Sequence, residues 1–260
     1  MFVLGSVSNS WTKHPKNRRK TANNLPNVHY GYNCSLSDAS WAEISELSAI
    51  GNAASVWSVG DAKDFTVNGE TLTAEIVGFN HDQLTLGGTA GITFGTRDCM
   101  AALRQMNSTN TNEGGYTNSD LYDWLTTTVY NGIQNDLKSV IKAVNKQTTG
   151  GYTDTSLHTE SMKVWLFSVS ETTDDSSSAP GYPNSEGARY PIFTGDASTV
   201  KKLSNGNGED TYWWLRSPGA GYSSGAYDYY KGFYCISVRG GRSYDGTATS
   251  QHGICFGFCI

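Results

Sequence analysis

Apolar residues in "SDASWAEISELSAIG" (37–51) recur at helical spacing, with Trp41, Ile44, Leu47 and Ile50 on one face. Ser or Asp can cap the start, and Gly51 ends the run. The pattern then changes. "VWSVGD" and "FTVNGETLTAEIVGFN" alternate apolar and polar residues, and Asn68-Gly69 is a strong hairpin turn signal. "LTLGGTAGITFG" (84–95) predicts more strand with a Gly-rich interruption. Helical spacing returns in "NSDLYDWLTTTVYNGI" (118–133), capped by Asn118 or Ser119, with Leu121, Trp124, Leu125 and Val129 on one face. A second helix is expected over 135–146, with Leu137, Val140, Ile141 and Val144 inward. "KVWLFSVS" (163–170) reads as a buried strand, residues 171–188 as a long polar loop, and "DTYWWLRSP" (210–218) as an aromatic strand closed by Pro218. Strands, two helices, then short strands predict an α+β fold.

Composition sharpens this picture. The chain has 260 residues, with 37% hydrophobic and 17% charged content, 29 Gly and 15 Tyr. Loop-rich mixed structure fits these values better than a helical bundle. The net charge of −5 leaves no electrostatic footprint for nucleic acid. One basic cluster, "KHPKNRRK" (13–20), reads as a solvated part of an N-terminal arm over residues 1–36, which would tether residues 37–260 to a larger assembly or a homo-oligomer. No run of about 18 apolar residues predicts a membrane span. "MFVLGSVSNSW" is too short and polar for a secretory signal, so synthesis in the cytoplasm is expected.

Motifs that carry chemistry are scarce. Five cysteines (Cys34, Cys99, Cys235, Cys255 and Cys259), without CxxC pairs, argue against a disulfide framework and a zinc site, and reduced thiols are expected. Cys255 and Cys259 lie among apolar residues, where burial makes a thiol inert. His81 and Asp82 in "FNHDQ" read as a turn whose polar side chains bond backbone. Asp174 and Asp175 lack the ligand spacing of a calcium loop. "GGTAGITFG" is not followed by the helix of a phosphate cradle. No catalytic residue, metal or cofactor is expected. Arg216, set after two Trp and before Ser-Pro, reads as an architectural residue that stacks on an aromatic face or bonds carbonyls.

The tail is the unusual part. From Gly219 to Ser250 there is no Glu, Gln, Met, Trp, Leu, Pro or Asn, and Lys231 is the single Lys. Tyr, Ser, Gly, Asp and Arg dominate. These are paratope residues: Tyr offers large contact area at low entropy cost, and Ser and Gly offer adaptable hydrogen bonds. Tyr227, Tyr229, Tyr230 and Tyr234 cannot all point inward from one short hairpin.

"WAEISELSAIGNAASVWSVGD", "VGFNHDQ", "NEGGYTNSDLYDWL", "KVWLFSVSE" and "YWWLRSPG" together resemble a bacterial and phage family of unknown function, over about residues 38–260. That family usually ends in a Gly-Val-Arg-Pro-Ala-like stretch, whereas this chain has "GICFGFCI". Members occur as targets of diversity-generating retroelements, in which mutated template adenines turn AAC codons into NNC codons. Such codons cannot encode Glu, Gln, Lys, Met or Trp. The tail obeys that restriction everywhere except Lys231, which is expected to be a fixed scaffold position.

The resemblance implies a C-type-lectin-like fold with two helices and a variable, mostly β surface over about 213–260. It also implies a ligand-binding role, on a virion or bacterial surface assembly, toward a macromolecular or cell-surface partner. The expected contacts are Tyr222, Ser223, Ser224, Tyr227, Asp228, Tyr229, Tyr230, Tyr234, Ser237, Arg239, Arg242, Ser243, Tyr244 and Asp245, with Trp213, Trp214 and Arg216 holding the platform. Two other readings remain. One is an enzyme like the formylglycine-generating enzymes, which share the lectin-like fold, using Cys255 and Cys259. The other is a purely structural virion or surface protein.

Overall fold

The computed structural model describes residues 34–173, 185–220 and 230–260, and the backbone of the pairs 223–224 and 227–228. The expected N-terminal arm, apart from its last three residues, and Asp174 and Asp175 lie outside the described residues.

The described chain is α+β. A five-stranded antiparallel sheet runs in the order β1 (Ala62–Val67), β2 (Glu70–Phe79), β3 (Ile92–Thr96), β14 (Phe256–Cys259) and β6 (Trp165–Leu166). The β1–β2 turn needs left-handed backbone, and Asn68 and Gly69 supply it at φ 50° and 86°. Alternation in "GICFGFCI" then makes sense. Phe256 and Phe258 face one side of the sheet, where both rings pack edge-on to Phe65 and the Phe258 ring stacks on Phe94 at 5.3 Å. Helix α1 (Trp41–Ala49) covers that side, with Trp41 edge-on to Phe94 and Phe258. Ser40 caps α1 in a capping box with Glu43. On the opposite side Phe167 lies over Gly95, where a Cβ would come within 2.7 Å of its ring.

The second helical segment is α2 (Asp120–Trp124), a π-helical stretch (Leu125–Val129) and α3 (Tyr130–Gly132), capped by Ser119. The expected helix over 135–146 is cut short. Only α4 (Asn135–Lys138) is helical, and from Val144 the chain is strand. Two-residue alternation wins there: Val144, Lys146 and Thr148 are buried while Asn145 and Gln147 are exposed. Strand β4 (Val144–Gly151) pairs with β5 (Asp154–Met162) in a hairpin that sequence reading did not foresee. The expected strand over 163–170 is also shorter. After β6, Ser168 caps the short helix α5 (Val169–Thr172) in a second capping box.

Two short strands, β7 (Lys201–Lys202) and β8 (Asp210–Thr211), precede β9 (Trp213–Pro218). The tail adds a small pair, β10 (Ser223–Ser224) with β11 (Tyr227–Asp228), and then β12 (Phe233–Ile236) and β13 (Arg242–Asp245). Strands β13, β12 and β9 form a three-stranded antiparallel sheet. No helix of the described residues is long and apolar enough to cross a membrane.

Candidate ligand-binding surface and the platform beneath it

Strand β9 carries "WWLRSP", and every residue of it is buried. The Trp213 and Trp214 indoles donate to Thr199 O and Arg104 O, each at 2.9 Å. Arg216 is fully buried, and its five N–H donors have five acceptors. Nε donates to Gln147 O (2.9 Å). Nη1 donates to Leu166 O (2.8 Å) and Glu171 Oε2 (2.5 Å), and Nη2 to Glu171 Oε1 (2.9 Å) and Glu186 O (2.5 Å). Ser217 extends the grip, accepting from Val169 N at 3.0 Å and donating to Glu186 Oε2. The Arg-Ser-Pro sequence is thus a clamp between strand and loop. It also corrects the reading of 171–188 as a polar loop, because Glu171 and Glu186 are both 1% exposed.

The network continues through Lys146, whose ammonium donates to Asp82 Oδ1 (2.6 Å) and Tyr190 Oη (2.8 Å) and pairs with Glu171 Oε1 (2.6 Å). Three donors meet three partners, which marks a structural node rather than a free amine. Asp82 also accepts from Thr93 (2.6 Å). The expected turn at His81-Asp82 is therefore only half backbone-directed. His81 Nε2 meets Arg189 O at 3.3 Å, while Asp82 bonds side chains. Burial on its own raises the Asp82 and Glu171 pKa values. Lys146 beside Asp82, and Arg216 and Lys146 beside Glu171, outweigh it and hold both below the ordinary carboxylate range. At Glu186 burial prevails over Arg216 and the hydrogen bonds, and its pKa is raised.

The base of the tail is closed by Asn112. This side chain is buried, and its amide donates to Gly219 O (2.7 Å) and Gly232 O (2.8 Å) while its oxygen accepts from Tyr152 N (2.9 Å). Gly219 N also donates to Gly232 O at 3.1 Å. Residues 219–232 thus leave and return at one pinned point. Beside it, the Tyr152 and Tyr230 rings lie 5.0 Å apart, next to a cleft of about 410 Å³ lined by residues that include Glu113, Thr117, Tyr152, Asp154 and His158.

The expected contact residues separate into groups. Tyr222 and Tyr229 lie outside the described residues, and only the backbone of Ser223, Ser224, Tyr227 and Asp228 is described. Tyr230, Arg242 and Ser243 are half-buried, and Arg239 is exposed. Tyr234 is a correction: it is 2% exposed and packs with Trp213, Leu215 and Ile236, because β12 is the middle strand of its sheet. Other side chains serve the tail's own structure. Ser237 donates to Gly240 O (2.6 Å), Tyr244 accepts from Gly232 N (3.1 Å), and Asp245 meets His252 (2.8 Å). Cys255 and Cys259 do not make the pair that the enzyme reading needs. Cys255 faces Cys99, whereas Cys259 faces Thr93 and Asp82, and burial pushes its thiol pKa up.

Residues 90–258 match the model of a family described as a domain of unknown function, DUF6273. The chain belongs to the DUF6273 family. No curated protein and no solved structure matches it. The matched DUF6273 region runs from the turn before β3 into β14 and includes Asn112, Lys146, Glu171, Glu186 and Arg216. Sequence reading singled out Arg216 alone among these. Asn112 had a signal, since it heads "NEGGYTNSDLYDWL". Lys146 had one too, as the charged member of the alternating series Val144, Lys146 and Thr148.

Proposed function

We propose that this chain is a ligand-binding protein of C-type-lectin-like fold, diversified in its tail by a retroelement and directed at a macromolecular or cell-surface ligand. One observation carries the reading. The first part of the segment with restricted residue types, residues 219–232, has both ends held by the Asn112 clamp, and Gly219 directly follows a strand whose own side chains are all buried. Such a division between fixed support and changeable surface is what a diversified binder requires. Tyr230, Arg239, Arg242 and Ser243 are the described tail residues best placed to meet a ligand, with the Tyr152 cleft as a fixed neighbour.

The neighbouring DNA tests the class. A near-copy of codons 213–260 with AAC at the differing positions, beside a reverse transcriptase, is expected. Lys231 should be identical in both copies. A locus with no such repeat overturns the retroelement part of the reading.

A further inference from the structure

Four cysteines are buried in the sheet region, and among the described residues only two of them touch another sulfur. Cys99 Sγ and Cys255 Sγ lie 2.9 Å apart, and both residues are 0% exposed. Backbone holds each of them. Cys99 N donates to Lys202 O (2.7 Å), Cys99 O accepts from Ser204 N (2.8 Å), and Met100 N reaches Ile254 O (2.9 Å), one residue before Cys255. Gly253 leaves the space for this approach, since a Cβ there would lie 2.7 Å from Cys99 Sγ.

We infer that Cys99 and Cys255 form a disulfide that ties the start of the DUF6273 region to its end. The sulfurs need to approach by less than about 1 Å to reach bonding distance. Thiol–disulfide exchange with a small disulfide such as oxidised glutathione supplies the chemistry. One thiolate attacks the glutathione disulfide and releases one glutathione. The second, after losing its proton, displaces the other. One protein S–S bond forms, one glutathione S–S bond breaks, and two protons and two electrons leave with two reduced glutathiones. Burial and the neighbouring Cys255 raise the Cys99 pKa, so exchange belongs to folding or transient opening rather than to the closed state. The bond encloses the tail, and its sulfurs sit in the same core cluster as Trp213, Leu215, Tyr234 and Ile236. This inference stands whether or not the tail binds a ligand.

The test uses the full chain in a glutathione redox buffer, with urea just below the unfolding transition. Samples are then denatured, alkylated and weighed. Of the five cysteines, three are expected to react, with a Cys99–Cys255 peptide recovered after digestion. The oxidised chain should melt roughly 10 °C higher than the reduced one, and a Cys99→Ala/Cys255→Ala variant should show no difference. Five reactive thiols after this treatment, or a bridge to Cys34, Cys235 or Cys259 instead, overturn the inference. In that case the 2.9 Å contact is a thiol hydrogen bond only.

Discussion

Arg216 grips both carboxylate oxygens of Glu171, at 2.5 and 2.9 Å, with neither residue more than 1% exposed. A buried pair of this kind is weak evidence for stability by itself, but breaking it leaves an uncompensated charge. Arg216→Lys keeps the charge and loses the planar fork that serves Gln147, Leu166, Glu171 and Glu186 together. Each buried acceptor left without its donor costs about 1–3 kcal/mol, so a loss of at least about 3 kcal/mol is expected, seen as a melting temperature lower by roughly 10 °C in calorimetry.

Asn112 should act on the tail more than on the core. Asn112→Asp keeps the acceptor for Tyr152 N and removes the donors to Gly219 O and Gly232 O. Hydrogen exchange should therefore speed up at Gly219 while the Tyr152 amide stays protected. Asn112→Ala should expose both, at a cost of about 3 kcal/mol. Equal protection in all three proteins would contradict the clamp.

Tyr230 and Tyr234 provide a contrast four residues apart. Tyr234→Ala empties a core position and should cost about 3–5 kcal/mol. Tyr230→Ala should change stability by less than about 1 kcal/mol, because its ring is half-buried against Tyr152. Once a ligand is identified, Tyr230→Ala should weaken binding with an unchanged melting curve. A large stability loss there would favour a purely structural tail.

Acid should unfold the protein in a defined window. The Asp82 and Glu171 pKa values are lower folded than unfolded, so their stabilisation is present above the unfolded values and lost as pH falls through the folded ones. Melting temperature is expected to drop once pH falls below about 4. Glu186 works the other way: its folded pKa is raised, so its contribution is present at low pH and lost as pH rises. Glu186→Gln should therefore steepen the acid loss. Thermal melts between pH 7 and pH 3 measure both slopes.

Local signals were legible in the sequence, and long-range partnerships were not. Ser40, Asn68-Gly69 and Ser119 announce a cap, a turn and a cap, because each depends only on neighbouring backbone. Residues 135–146 misled because Leu137, Ile141 and Val144 fit a helical period, while the β4–β5 ladder that overrules it forms with residues up to Met162. Glu171 and Glu186 looked solvated because their partner Arg216 lies 45 and 30 positions away. Tyr234 looked like the other tyrosines of the tail because composition cannot say which strand is central.

The place of β14 has a consequence for how the tail can change. This strand sits between β3 and β6 in the large sheet, yet it is synthesised after the whole of 219–250. A stop or a lost reading frame anywhere in that segment removes the strand that joins β3 to β6, together with the Phe256 and Phe258 rings. A substitution in the tail still leaves β14 to be made, whereas a truncation there cannot complete the sheet. If the tail is the diversified surface proposed above, the fold would act as a proofreader, since only a chain translated in frame through the tail can complete the large sheet.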